Sequence, residues 1–336
     1  MEYSIVMPVY QRLEIINLSI NSILKQTILP SELIIVDNNT DKNQVDELIK
    51  RIEFFKNRSN FTIRYFKSPK NSGAIARNIG AKNARSELVA FLDSDVILDN
   101  DYYEILIDHF THSEELIAIQ GLDRSILENK KKLHREKVFD KFLYKFEQFF
   151  ETSLLFNRKK AYVSPSLAVA HPVLKKEFDI ESQWISTCAG IFKKSIFDKY
   201  CFPKEFITYS NNEYVFLSYS LYKNNEGKMI YTSKAKYRDI QTSSGRINKI
   251  ELMYQIQTYD TYIFLHLFDF TIINILIFIK SRIGHLIFNL FRFIKRKDRF
   301  ILNYVHSILS VFYPIFHLNE ISKGDLSFYE KDFPIN

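Results

Sequence analysis

Five short apolar runs, at residues 4–7, 33–36, 63–66, 88–92 and 117–120, recur through the first 121 residues with longer stretches of helical periodicity between them. That alternation restricts this part of the chain to a Rossmann-like α/β fold, a mostly parallel sheet flanked by helices, because parallel neighbours need a long crossover and a helix supplies one. The first crossover carries apolar teeth at Leu13, Ile16, Ile20, Ile23 and Leu24, the second at Val45, Leu48, Ile49 and Ile52. Ligands of such sheets bind beyond the carboxyl ends of the strands, where loops and helix N-termini converge. The exits to inspect are therefore Pro8, Val9 and Tyr10, then Asp37 to Thr40, then Asp93, Ser94 and Asp95.

The sharpest of these is Phe91-Leu92-Asp93-Ser94-Asp95, an apolar strand ending in two acids one position apart. Such carboxylates repel unless a cation lies between them, and a hard divalent ion, Mg²⁺ or Mn²⁺, would also coordinate a nucleoside diphosphate and neutralise a leaving group. Taken alone, the triplet also reads as a solvated turn. Ile34 to Thr40 delivers Asp37, Asn38 and Asn39 to the same rim, where a carboxylate accepts from the imide N–H of a uracil ring or closes a plain Asx turn. Asn71 to Ala81 reads as a helix start: small residues allow close backbone approach, Arg77 carries a permanent charge, and helix N-termini attract phosphate. The same residues also suit helix-to-sheet packing.

With 336 residues the chain can bury a sizeable core, and its formal charge of +7 draws it to anionic partners. Nucleic acid, suggested only by charge and aromatic content, is not the expected partner, since no RNP-like strand, helix-turn-helix pattern or zinc spacing supports it. A dinucleotide-binding dehydrogenase is excluded as well, because Pro8 to Arg12 lacks a glycine-rich turn. The two cysteines, Cys188 and Cys201, have no metal-type spacing and suit a reducing compartment. The N-terminus enters an apolar strand almost at once, without the pattern of a signal peptide, so a cytoplasmic location is expected.

Together, Val6 to Tyr10, Ile35 to Thr40, Asn71 to Gly80 and Phe91 to Asp95 resemble, in order and spacing, the family 2 glycosyltransferases of GT-A fold. The match is specific over residues 3–121 and looser to about 245. The resemblance implies an inverting, nucleotide-sugar-dependent transferase, with a UDP-sugar as the expected donor and a glycan or lipid-linked acceptor in polysaccharide biosynthesis. It implies that Pro8, Tyr10 and Asp37 frame the nucleoside base, and that Asn71, Gly73 and Arg77 line the donor cleft. Asp93 and Asp95 become the ribose and metal-diphosphate contacts.

Later landmarks of the family are also visible. Thr187 to Lys194 looks like the segment that meets donor sugar and acceptor, where Gly190 would let the sugar approach the backbone. Where the family shows a Glu-Asp pair opening a helix, this chain has Glu213-Tyr214, followed by Leu217-Ser218-Tyr219 and Gly227. Tyr214 stands where the basic Asp is expected, and an ordinary tyrosine is a poor base near neutral pH. Glu213 is the candidate base in its place, or else a first-turn acid that favours the helix dipole. Asp239, with Gln241 nearby, is the candidate for a further metal ligand. Trp184 either stacks on a sugar or packs in the core. A relative of the family that binds nucleotide sugar or a partner without turnover is the alternative function, and Tyr214 is the feature in its favour.

A GT-A domain is expected over residues 1–245, with a nucleotide-sugar half at 1–121 and an acceptor half at 122–245, followed by a helical, basic and aromatic region at 246–336. A basic run at Lys130, Lys131, Lys132, His134 and Arg135 leads into a helical stripe of Phe139, Phe142, Leu143, Phe146, Phe149 and Phe150. Residues 163–184 read as loop and short strand. Between residues 262 and 300, Asp269 and Lys280 interrupt every apolar window, which disfavours a simple span. The interleaved bases, from Arg282 to Arg299, suit either an interfacial helix on anionic lipid at the inner membrane face or a buried helical hairpin.

Overall fold

The computed structural model describes residues 1–125, 160–172, 176–240, 247–296 and 301–334, together with positions 146, 149, 242 and 245. The basic run at Lys130 to Arg135, with Phe139, Phe142, Leu143 and Phe150, lies outside the described residues, as does Gln241. The chain forms two compact units: Met1–Glu128 with Leu174–Arg246 and Ile335–Asn336, and Asn129–Val173 with Ile247–Pro334.

In the first unit nine strands form one sheet among the described residues: β1 (Tyr3–Val9), β2 (Glu32–Asp37), β3 (Thr62–Lys67), β4 (Leu88–Phe91), β5 (Val96–Leu98), β6 (Leu116–Asp123), β7 (Asp179–Glu181), β8 (Ile191–Lys193) and β9 (Lys228–Asp239). The path runs β3-β2-β1-β4-β8-β6-β9-β5, with β7 paired to β9. The block β3-β2-β1-β4 is wholly parallel, with Val6 opposite both Ile34 and Phe91. Beyond it β8 lies antiparallel between β4 and β6, while β6 and β9 are parallel.

Helices α1 (Leu13–Leu24), α2 (Lys42–Lys56), α3 (Gly73–Asn83) and α4 (Tyr102–His112) connect the early strands, and α5 (Glu213–Lys223) precedes β9. The apolar spacing of α1 does what its period requires: Ile16, Ile20 and Ile23 are buried. In α2 the buried row is Leu48, Ile52 and Phe55, whereas Ile49 faces out, 41% exposed. The expected tooth at Ile49 is thus one position off the buried face. Gly80 lets α3 sit directly on β1, since a Cβ there would lie 2.1 Å from Val6 Cγ1.

The second unit holds α6 (Lys249–Leu267), α7 (Ile272–Arg296), α8 (Ile301–Phe316), α9 (Leu318–Ser322) and α10 (Ser327–Asp332). Nearly every side chain from Tyr254 to Phe264 in α6 is buried, whereas α7 leaves a row of large apolar residues exposed. By length and composition alone, Ile272–Phe291 is long and apolar enough to cross a membrane, and 17% of its most apolar stretch is buried.

Candidate active site

The parallel block ends in the acids. Leu92 N–H still donates to Val6 O at 3.0 Å, so β4 stays paired up to Asp93, whose own N–H donates to Cys188 O at 3.0 Å. Val96 N–H then bonds back to Asp93 O, and Ser19 Oγ donates to Ser94 O at 2.8 Å, which fixes the turn. β5 leaves this turn antiparallel to the end of β9, with Val96 opposite Asp239 and Ile240 N–H on Asp95 O at 3.0 Å. The topology therefore gathers Asp93, Asp95 and Asp239 at one rim. Burial, together with the charges of Asp93 and Asp239, pushes the Asp95 carboxyl up to about 6, although Arg12 opposes them. Arg12 Nη1 lies 2.7 Å from Asp95 Oδ2. Gln11 and Arg12 hold left-handed backbone angles, φ 54° and 55°, at the β1 exit. Consecutive non-glycine residues in that region are strained.

Arg77 is the centre of the arrangement. Its Nη2 meets Asp93 Oδ1 at 2.7 Å and its Nη1 meets Glu213 Oε1 at 2.8 Å, with the arginine side chain 8% exposed. Burial alone would lower the guanidinium, but Glu213 and Asp93 more than offset this and raise it, so it stays charged. Glu213 opens α5. Burial pushes its carboxyl up to about 7 against the pull of Arg77, and Thr187 Oγ1 lies 3.4 Å from it as a donor. The preceding loop is strained three times over, with Thr208, Ser210 and Asn212 at φ 54°, 50° and 63°. It is tied to the start of α3: Thr208 N–H donates to Asn71 O at 2.6 Å, Gly73 N–H to Thr208 O at 3.2 Å and Ala74 N–H to Ser210 Oγ at 3.2 Å. These bonds hold Glu213 and Arg77 in one frame.

The start of α3 offers no orphan donors to a phosphate, because Gly73, Ala74 and Ile75 N–H are taken by Thr208 O, Ser210 Oγ and Ser72 Oγ. Gly73 instead makes room for the arginine, since a Cβ there would lie 2.9 Å from Arg77 Nη1. At Gly190 the Cβ side is filled by the chain's own loop, where a Cβ would meet Ser186 O at 2.3 Å and Ile185 Cγ2 at 2.6 Å. Gly190→Ala is accordingly expected to cost about 1–3 kcal/mol by overpacking, measured as a lower denaturant midpoint. A midpoint equal to wild type would show that the space is free.

Asp37 is fully buried and fully engaged. Oδ1 accepts from Asn39 N–H and Asn39 Nδ2, each at 2.8 Å, while Oδ2 accepts from Tyr65 OH at 2.8 Å and Lys67 Nζ at 3.1 Å. Lys67, with a half-exposed side chain, also donates to Asn39 O. Pro8 and Tyr10 stand half-buried at the neighbouring exit of β1, where Gln11 N–H donates to Asn39 Oδ1 at 2.6 Å. Of the two readings of Trp184, packing holds: it is 2% exposed against the rings of Tyr214 and Tyr231. Tyr214 thus turns into an aromatic cluster.

Sequence reasoning missed Arg12 and Lys67, and placed Thr187 only within the segment expected to meet the sugar. Lys67 was findable as the exit residue of β3, an exit that shows no acid or amide cluster to attract notice. Arg12 carries no local signal, because its role depends on a residue 83 positions away.

Among the described residues no three His, Cys, Asp or Glu side chains stand close enough to hold a metal as placed. The donor chemistry nonetheless suits a hard divalent ion, since three carboxylates share one rim and Asp95 is raised by burial first and then by the charges of Asp93 and Asp239.

The sequence model of glycosyl transferase family 2 matches residues 4–176, more than half of the chain. The chain belongs to this family. It is 32% identical over 132 residues to the poly(ribitol-phosphate) beta-N-acetylglucosaminyltransferase TarP of Staphylococcus aureus, covering 37% of this chain and 38% of that one. It is 35% identical over 102 residues to an uncharacterized glycosyltransferase of Haemophilus influenzae, covering 30% of this chain and 39% of that one. Less than half of either relative's length is spanned. Among solved structures it resembles GalNAc-T7 with UDP, GalNAc and Mn²⁺ (TM-score 0.54, 13% identity, 79% of this chain and 50% of that one). It also resembles S. aureus TarS 1-349 in complex with UDP-GlcNAc (TM-score 0.50, 18% identity, 92% of this chain and 79% of that one). The fold is therefore that of the GT-A glycosyltransferases.

Proposed function

We propose that the chain transfers a hexosyl group, with inversion, from a UDP-sugar to a hydroxyl of a glycan or related polymer. The observation that carries this reading is the Glu213–Arg77–Asp93 chain of ion pairs, which joins a buried carboxyl pushed up to about 7 to the acidic rim. A base whose ordinary form is half ionised near neutral pH is well matched to deprotonating an alcohol as it attacks. Glu213 takes the acceptor proton, the acceptor oxygen bonds to the anomeric carbon from the face opposite the diphosphate, and the bond to the diphosphate oxygen breaks. A divalent ion held by Asp93, Asp95 and Asp239 would neutralise charge on that leaving group. Asp37, with Lys67 as its movable partner, is the base-side contact. Pro8 and Tyr10 complete that side, while Asn71 and Gly73 act through the backbone bonds that hold Arg77 in place. The bound UDP-GlcNAc of TarS, the UDP and Mn²⁺ of GalNAc-T7 and the N-acetylglucosaminyltransferase activity of TarP support the choice of donor and ion.

The test is thermal denaturation with UDP-, GDP- and dTDP-sugars, with Mn²⁺ or with EDTA. At 100 times its dissociation constant the correct donor adds about 2.7 kcal/mol, and this gain is expected only for a UDP-sugar with Mn²⁺. The double variant Asp93→Asn/Asp95→Asn is expected to abolish it. An equal gain in EDTA, or in the double variant, would remove the metal from the reading. Tyr214, turned into the Trp184 cluster where the family places its base, favours a second reading, a relative that binds donor without turnover. Release of UDP on adding acceptor polymer separates the two.

A further inference from the structure

Fourteen large apolar side chains between Phe270 and Leu318 are exposed in the second unit. On α7 they form a row at Ile272, Leu276, Ile279, Ile283 and Leu290, recurring at intervals of four, three, four and seven. On α8 the same spacing picks out Val305, Leu309, Phe312 and Phe316. A row of that period occupies one side of a helix.

The other side of α7 is already committed. Arg282 Nη1 bonds to Asp260 Oδ2 at 2.9 Å and Gln257 Oε1 at 3.0 Å on α6, and its Nη2 donates to Ser166 O at 3.1 Å. Phe278 stacks on Phe264 of α6 with ring centroids 4.4 Å apart. These contacts keep α7 against its own unit, which argues against the helix leaving to cross a bilayer by itself.

Charge decides what covers the free side. Residues 270–318 contain seven Lys and Arg and one acid, Asp298; with Arg282 paired to Asp260, the other six bases against that acid leave 6 − 1 = +5. Five of the seven bases fall within residues 292–299. A second copy docking through this row would bring like charge to like charge, whereas paired helices use opposite charges to flank an apolar seam. An anionic lipid surface offers what the row lacks, acyl chains for the apolar residues and phosphate for the bases.

We propose that the exposed side of α7, with α8 beside it, lies flat in the interface of an anionic bilayer and holds the chain there. This is independent of glycosyl transfer, because lipid binding needs no donor. The test is flotation of the full chain with vesicles of phosphatidylcholine alone, or of phosphatidylcholine mixed with phosphatidylglycerol, whose anionic headgroups supply the negative surface potential that bases respond to. Leu276→Glu/Ile279→Glu is the variant, since both side chains are exposed and the fold should be kept, as checked by circular dichroism. The expected result is flotation with the anionic vesicles, lost in high salt and weakened roughly tenfold or more in the variant. Three outcomes would each overturn the proposal: no flotation, flotation unchanged in the variant, or a concentration-dependent dimer that the variant breaks while vesicles stay unbound.

Discussion

Replacing Arg77 with methionine is expected to lower the unfolding free energy by about 3–5 kcal/mol, the usual cost of leaving a buried charge without its partner. Two carboxylates depend on this one guanidinium, Asp93 at 2.7 Å and Glu213 at 2.8 Å. Methionine fills similar volume, so the loss reports charge rather than a cavity. The penalty should grow with pH, because Glu213 can escape it at acid pH by taking up a proton and cannot when ionised. Denaturant midpoints at pH 5 and pH 8 check this. A destabilisation of less than about 1 kcal/mol, the range of an exposed pair, would mean that the ion pairs are solvated.

Glu213→Gln is the second large effect. Removing a general base lowers the rate by roughly 10²–10⁴-fold, and donor affinity should be kept because Arg77 retains Asp93. In the wild type the rate should rise as pH passes about 7, since the proton held by burial must leave before the carboxylate can act as a base. The glutamine variant should lose that inflection. Stability moves the opposite way. The folded carboxyl, at about 7, binds its proton more tightly than the unfolded one at 4.5, so its contribution is present below 4.5 and lost as pH rises through 7. That loss is about 3 kcal/mol for a buried group, and the variant should not show it. If the variant turns over at the wild-type rate with the same pH profile, the base is another group.

The positions of the first four strands along the chain and the acids at their ends were legible because they depend on local periodicity and on residue type. Leu88 to Leu92 is apolar and stops at Asp93, and the structure ends β4 at Phe91, two residues before it. Glu213 and Arg77 were both readable as candidates, but their pairing was not, since it joins residues 136 positions apart through a strained loop. Gly73 and Gly190 show the limit most clearly. A glycine reports that a side chain is excluded, and only the fold tells whether the neighbour is a ligand, an arginine or the next loop's carbonyl. Asp37 is similar: its carboxylate was legible, whereas its saturation by Asn39, Tyr65 and Lys67 required the register of β2 with β3.

β8 lies between β4 and β6, although it is made about a hundred residues after the first and seventy after the second. During synthesis, β4 and β6 must therefore wait with bare hydrogen-bonding edges and the buried ring of Phe91 uncovered. The acidic rim is inherited from the first part of the polypeptide but becomes rigid only when residues 191–193 slot in. A ribosome-bound chain that has not yet reached that strand is the species most exposed to mispairing, and a chaperone meeting this protein would meet it there.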